Sequence, residues 1–115
     1  MMDCVFCKIV EGSIPSKKVF ETDTVLAFRD VNPVAPEHIL IIPKKHIPTM
    51  NDVVEEDLPL IGEIMQAAQR IAEMLGIKER GYRLVNNCNE EGGQSVYHLH
   101  FHLLGGKKLS HNLGG

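Results

Sequence analysis

No run of apolar residues in this chain approaches the roughly 20 that a helix needs to cross a bilayer, so no membrane span is expected. The opening segment, MMDCVFCKIVEGSIP, has neither a basic stretch nor a long apolar core and does not read as a secretory signal. Basic residues are not clustered: Lys44-Lys45 and Lys107-Lys108 are doublets in a chain of net charge -3. They read as solvated surface, whereas a nucleic-acid footprint needs a basic face. Cysteine is scarce and odd in number, at three, which argues against a disulfide framework and agrees with a reducing compartment. Internal repeats, low-complexity tracts and linkers are also missing. The 115 residues are therefore expected to form one domain, 1–115, around one core. These absences together predict a soluble cytoplasmic protein with no nucleic-acid and no membrane partner.

What is present reads as an α+β fold. Residues 4–10 suggest a short helix, stopped by Gly12 and Pro15. Residues 17–21 and 24–29 suggest two strands joined by a Thr22-Asp23 turn, because β-branched and aromatic residues flank turn chemistry. Residues 30–37 hold Pro33 and Pro36 and read as a loop. The compact apolar run 38–42, ended by Pro43, reads as a central strand. From about residue 55 to 75, Leu58, Ile61, Ile64, Met65, Ala68, Ile71, Ala72 and Leu75 recur every three or four positions and draw the apolar stripe of a long helix. Asp52 or Asp57 can cap its start, Pro59 fits only a first turn, and Gly76 supplies a left-handed stop. Residues 81–87 read as a fourth strand, 88–94 as a polar loop and 97–104 as the last strand. The expected architecture is a five-stranded antiparallel sheet with one long and one short helix, covered on one face. The tail beyond Gly106 is expected to gain order from a partner chain.

The last strand carries the chemistry. In Tyr97-His98-Leu99-His100-Phe101-His102-Leu103-Leu104, side chains alternate faces. His98, His100 and His102 then share one face, spaced by two strand rises or roughly 7 Å, and Leu99, Phe101 and Leu103 share the core face. A histidine row gives a strand no packing advantage over Val or Thr. Such a row can serve as a metal site, a proton relay or a nucleophile with helpers. Three nearly collinear imidazoles cannot all lie about 2 Å from one ion. A central nucleophile flanked by residues that hold it and the phosphate oxygens suits the spacing better. Gly92-Gly93-Gln94-Ser95, just upstream, has glycines that allow close backbone approach. It also has an amide and a hydroxyl able to bond phosphate oxygens or a leaving group. Alone, the same four residues make a plain hairpin turn.

The segment GGQSVYHLHFHLLGG resembles the signature of the histidine triad family, in its branch of Hint-type nucleotide-binding proteins. FCKIVEGSIPS, VLAFRDVNPVAPEHILIIPKKHI and the long helix extend the resemblance over nearly the whole chain. It implies a homodimer whose sheets join into ten strands. It also implies an enzyme, a nucleotide hydrolase that cleaves purine nucleoside 5′-phosphoramidates, with a purine nucleoside monophosphate or its amide conjugates as ligands. His100 matches the residue that attacks the α-phosphorus to form a covalent nucleotidyl-histidine, His102 the phosphate contact and His98 the support for the nucleophile. Asp30 matches the acidic residue on the ribose hydroxyls, a common ribose device, and Val31 its apolar neighbour at the base. Asn87, Gly93, Gln94 and Ser95 match further phosphate and leaving-group contacts, and His38 a histidine near the triad. A dinucleoside polyphosphate hydrolase and a non-catalytic nucleotide- or partner-binding module are the alternative readings. Many members of the branch end in an aromatic residue, whereas residues 109–115 here contain none and leave only His111 for such a place.

Cys4-x-x-Cys7 has the spacing of half a metal clip. A redox pair and two inert thiols are the other readings, the redox one weakened by the lack of a βαβ pattern. Within the wider superfamily the resemblance implies a structural zinc held by Cys4, Cys7, His46 and His98. No organic cofactor is implied, and Cys88 has no evident partner.

Overall fold

The computed structural model describes residues 4–113. Met1–Asp3 of the opening segment and Gly114–Gly115 of the tail lie outside them. The chain forms α1 (Val5–Glu11), β1 (Lys18–Glu21), β2 (Val25–Arg29), β3 (Glu37–Pro43), α2 (Leu58–Met74), β4 (Tyr82–Asn86) and β5 (Phe101–Gly105). The strands make one antiparallel sheet in the order β1-β2-β3-β5-β4, the α+β architecture that the patterning predicts. No helix among the described residues is long and apolar enough to cross a membrane.

Period-two alternation splits the central strands between two cores. Val25, Ala27, Ile39, Ile41, Phe101 and Leu103 point to one face and pack on Ile64, Ala68 and Ile71 of α2. Leu26, Phe28, Leu40 and Ile42 point to the other and pack on Phe6 and Ile9 of α1. The sheet is thus covered on both faces, not one. That is why β2 and β3 read as unbroken apolar runs: neither face needs polar residues.

The long-helix segment divides at Leu58. Residues Glu55–Asp57 form a 3₁₀ turn and the α-helix starts just before Pro59, which has no amide hydrogen to give a preceding carbonyl. Asp57 occupies the N-cap position but does not cap the helix with its side chain. Its carboxylate instead accepts from the Lys45 ammonium at 2.6 Å and the Val54 amide at 3.3 Å. Asp52 closes a box with Thr49 in a separate turn. Of the apolar stripe, Ile64, Ala68, Ile71 and Ala72 are buried together with Ala67, while Leu58 is exposed. Gly76 takes φ +71°, as the left-handed stop requires. Lys44 and Lys45 are not idle surface charges, since Lys44 pairs with Glu21 at 2.8 Å and Lys45 with Asp57.

The last strand is shorter than expected. Residues 96–98 bend, and the ladder begins only at Phe101. Before that, the Leu99 amide donates to the Ile47 carbonyl at 2.6 Å. The tail after β5 lies back against β4 within the same chain, where Arg83 donates to the Ser110 carbonyl at 2.7 Å.

Candidate active site

Leu99, Phe101 and Leu103 are buried in the α2 core. The intervening histidines therefore face the α1 side, although only His102 belongs to the regular strand. Residues 96–98 bend, and the His98 ring meets partners that the other two do not. His98 Nε2–H donates to the Pro43 carbonyl at 2.8 Å, and its Nδ1 faces Cys4 Sγ at 3.3 Å and Cys7 Sγ at 3.6 Å. The His100 and His102 rings stay adjacent, with centroids 5.1 Å apart, closer than the roughly 7 Å of two strand rises because the rings lean together.

Hydrogen bonds settle which nitrogens carry protons. His100 Nδ1 lies 2.7 Å from the His98 carbonyl, an acceptor only, so Nδ1 is protonated and Nε2 keeps its lone pair. Burial lowers the His100 pKa below its usual 6.5, which keeps the ring neutral near pH 7. Phe6 stands edge-on to it, centroids 5.2 Å apart, and Asn86 donates to the His100 carbonyl at 2.9 Å.

A second set of bonds fixes His102. The Val34 amide donates to His38 Nδ1 at 3.1 Å, so His38 carries its proton on Nε2 and donates it to His102 Nδ1 at 2.9 Å. His102 therefore presents Nε2–H as a donor. Its pKa falls to about 4, chiefly through burial and then through His100 and His38. Burial lowers His38 as well, against the pull of Asp30, whose Oδ2 is 3.4 Å from His38 Nε2. Asp30, His38 and His102 are close enough to share a metal ion. A metal on His38 Nε2 would force a proton onto Nδ1 against the Val34 N–H, so the trio reads as a hydrogen-bond chain instead.

His100 and His102 open into a cavity of about 830 Å³. Val5, Phe6, Ile9, Phe28 and Leu40 give it an apolar wall, and Asp30, Val31 and Ser95 stand with the two histidines along it. Asp30 Oδ1 accepts from the Asn32 amide at 2.7 Å, which leaves Oδ2 for other partners. The remaining predicted contacts are placed differently. Gln94 is buried, and its amide is taken up by the Asn89 amide and the Pro48 and Val96 carbonyls. It braces the loop that carries Ser95 and does not reach the cavity. Gly93 takes φ +81°, and a Cβ on Gly92 would strike the Cys88 backbone; both glycines serve the turn. Asn87 follows β4 and is not part of the cavity wall.

Cys4, Cys7, His46 and His98 form a separate group in which all donor atoms lie within 4.8 Å of one another. His46 Nδ1 is 3.3 Å from Cys7 Sγ. Neighbouring corners of a zinc tetrahedron with nitrogen and sulfur donors are about 3.5 Å apart, given metal distances of about 2.0–2.3 Å. The donor set, the spacing and a free Nδ1 on His98 all fit such an ion. Burial and the adjoining Cys4 push the Cys7 thiol up to about 11, so binding a cation must release protons. Cys4, Cys7 and Cys88 are all free thiols.

Comparison with known proteins decides the family: the model of the HIT domain matches residues 11–109. The chain belongs to the HIT domain family. The purine nucleoside phosphoramidase of Escherichia coli K12 is 52% identical over 107 residues, 93% of this chain and 90% of that protein. The crystal structure of a HIT family hydrolase from Legionella pneumophila Philadelphia 1 matches with TM-score 0.95 and 52% identity, covering 96% of this chain and 99% of that one. A histidine triad protein from Clostridium difficile matches with TM-score 0.93 and 50% identity, covering 96% of each chain. Of the residues around the site, Phe6 and Asn86 were not singled out from the sequence. Phe6 was hidden among ordinary apolar helix positions. Asn86 sits beside the Asn87 singled out instead, and only the strand register separates them.

Proposed function

We propose that the chain is a hydrolase that cleaves the P–N bond of purine nucleoside 5′-phosphoramidates through a nucleotidyl intermediate on His100. The observation that carries this reading is the His100 Nδ1 contact with the His98 carbonyl at 2.7 Å, which aims an unprotonated Nε2 into the cavity. Nε2 attacks the α-phosphorus, the P–N bond breaks, and the amine leaves with a proton taken from solvent, which the water of the next step returns as it loses its own. Water then attacks phosphorus, releasing the nucleoside monophosphate and restoring His100. The His102 Nε2–H donates to a phosphate oxygen whose charge grows in the transition state. Asp30 takes the ribose hydroxyls, Val31 borders the base, and Ser95 is the side chain of the Gly93–Ser95 segment that meets the leaving nitrogen. Gln94, His38 and His98 support these groups from behind. The name of the Escherichia coli relative and the complete histidine set favour this reading over a binding module.

The reaction asks for no organic cofactor. A zinc ion on Cys4, Cys7, His46 and His98 would serve structure, tying α1 to the segment before β5. Residues 1–115 act as a single HIT domain in this reading. β4 forms one free edge of the sheet, and pairing with the same edge of a second copy would give ten strands. Free thiols suit the cytoplasm. The test is release of AMP from adenosine 5′-phosphoramidate. Turnover lost in His100→Ala supports the proposal, and turnover that survives the substitution overturns it.

A further inference from the structure

The cavity beside His100 is apolar along the wall that α1 supplies, but Ser16 interrupts it. Among the described residues, Ser16 Oγ is the one buried side-chain oxygen or nitrogen with no hydrogen-bond partner. A buried hydroxyl without a partner is destabilising, and such a group in a native fold calls for an explanation. Backbone hydrogen bonds hold the chain on either side of it. On one side the Ile14 amide donates to the Lys8 carbonyl at 3.3 Å, and on the other the Lys17 carbonyl accepts from the Arg29 amide at 3.0 Å. The hydroxyl turns on a single side-chain torsion, and Ser16 is one of the residues that line the cavity.

The bond from the Arg29 amide to Lys17 ties the segment that carries Ser16 to the end of β2, and Ser16 and Asp30 line the same cavity. With phosphate at His100 and His102 and ribose at Asp30, the base extends away from the histidines along the α1 wall. Ser16 is the uncharged hydrogen-bonding side chain there. We propose that the Ser16 hydroxyl reads the hydrogen-bonding edge of the purine, so that this residue sets the preference for a base-bearing ligand. A hydroxyl both donates and accepts, which suits an exocyclic amine or a ring nitrogen. This inference rests on the nucleotide reading of the cavity.

The test compares AMP with ribose 5-phosphate, which keeps the sugar and phosphate and lacks the base. Both are titrated calorimetrically into the full chain and into Ser16→Ala. The preference for AMP is expected to fall roughly five- to tenfold in the variant, the size of one hydrogen bond. The ligand-free variant is expected to melt at the same temperature or a few degrees higher, because it no longer buries an unpaired hydroxyl. An unchanged preference overturns the inference, as does a lower melting temperature, which would mean that Ser16 already has a partner in the free protein. If the unsubstituted chain forms a His100 adduct while the preference is unmoved in Ser16→Ala, only the role of Ser16 falls. If it prefers AMP over ribose 5-phosphate not at all and forms no adduct, the nucleotide reading falls with it.

Discussion

At the scale of single residues, the site is a matter of proton placement. One backbone carbonyl, that of His98, decides that His100 offers Nε2 to the cavity. One backbone amide, that of Val34, decides through His38 that His102 offers N–H there. In the proposed reaction His38 is therefore a positioning residue. Replacing it by Ala removes the donor that holds His102 Nδ1 unprotonated, so both tautomers of His102 become available. Loss of a direct transition-state donor costs roughly 10²–10³ in kcat. The indirect His38→Ala change is expected to cost about tenfold in kcat with KM little altered. Steady-state kinetics on adenosine 5′-phosphoramidate checks this, and a rise in KM alone would contradict it. The alternation of Leu99, Phe101 and Leu103 made the histidine face legible in the sequence. Alternation alone did not separate the His98 ring from the other two; only the resemblance, through its implied zinc, set His98 beside Cys4 and Cys7.

Among the elements, α1 is short and has only Phe6 and Ile9 as its buried residues. It is anchored at its start, where Cys4 Sγ accepts the Cys7 amide at 3.3 Å and meets His98. Metal affinity of such a group adds to folding free energy. Protein purified without added zinc is expected to carry one zinc per chain by elemental analysis. Its melting temperature should fall by several degrees on chelation, and Cys7→Ser should carry none. Melting unchanged by a chelator in zinc-loaded protein would contradict this tie. Helix boundaries were legible where punctuation is local: Gly12 and Gly76 both adopt positive φ at the stops that the sequence marks. The start of α2 was not. Asp57 looks like a cap in sequence, yet Lys45, twelve residues earlier and beyond a loop, claims its carboxylate.

For the whole molecule, one sheet separates two cores, and burial lowers the pKa values of His38, His100 and His102 on its α1 side. The pattern of apolar runs disclosed five strands and the long helix. It did not disclose that α1 closes the second face, since a seven-residue helix carries too short a stripe to assign. Burial lowers the pKa values of His38 and His102, the latter to about 4. The folded state therefore refuses protons that the unfolded chain accepts near pH 6.5. The sign follows: stability is full above about pH 6.5 and is lost progressively as pH falls toward 4. Urea unfolding is expected to show a lower midpoint at pH 5 than at pH 7.5, and equal midpoints would contradict the neutral, buried histidines. The covalent nucleotidyl-histidine is sought by intact-mass spectrometry of protein quenched in acid-free denaturant during turnover of adenosine 5′-phosphoramidate. The predicted result is a gain of one adenylyl group, mapped to His100 and missing in His100→Ala. Steady turnover with no adduct at His100 under any quench time, or an adduct that persists in His100→Ala, would contradict it.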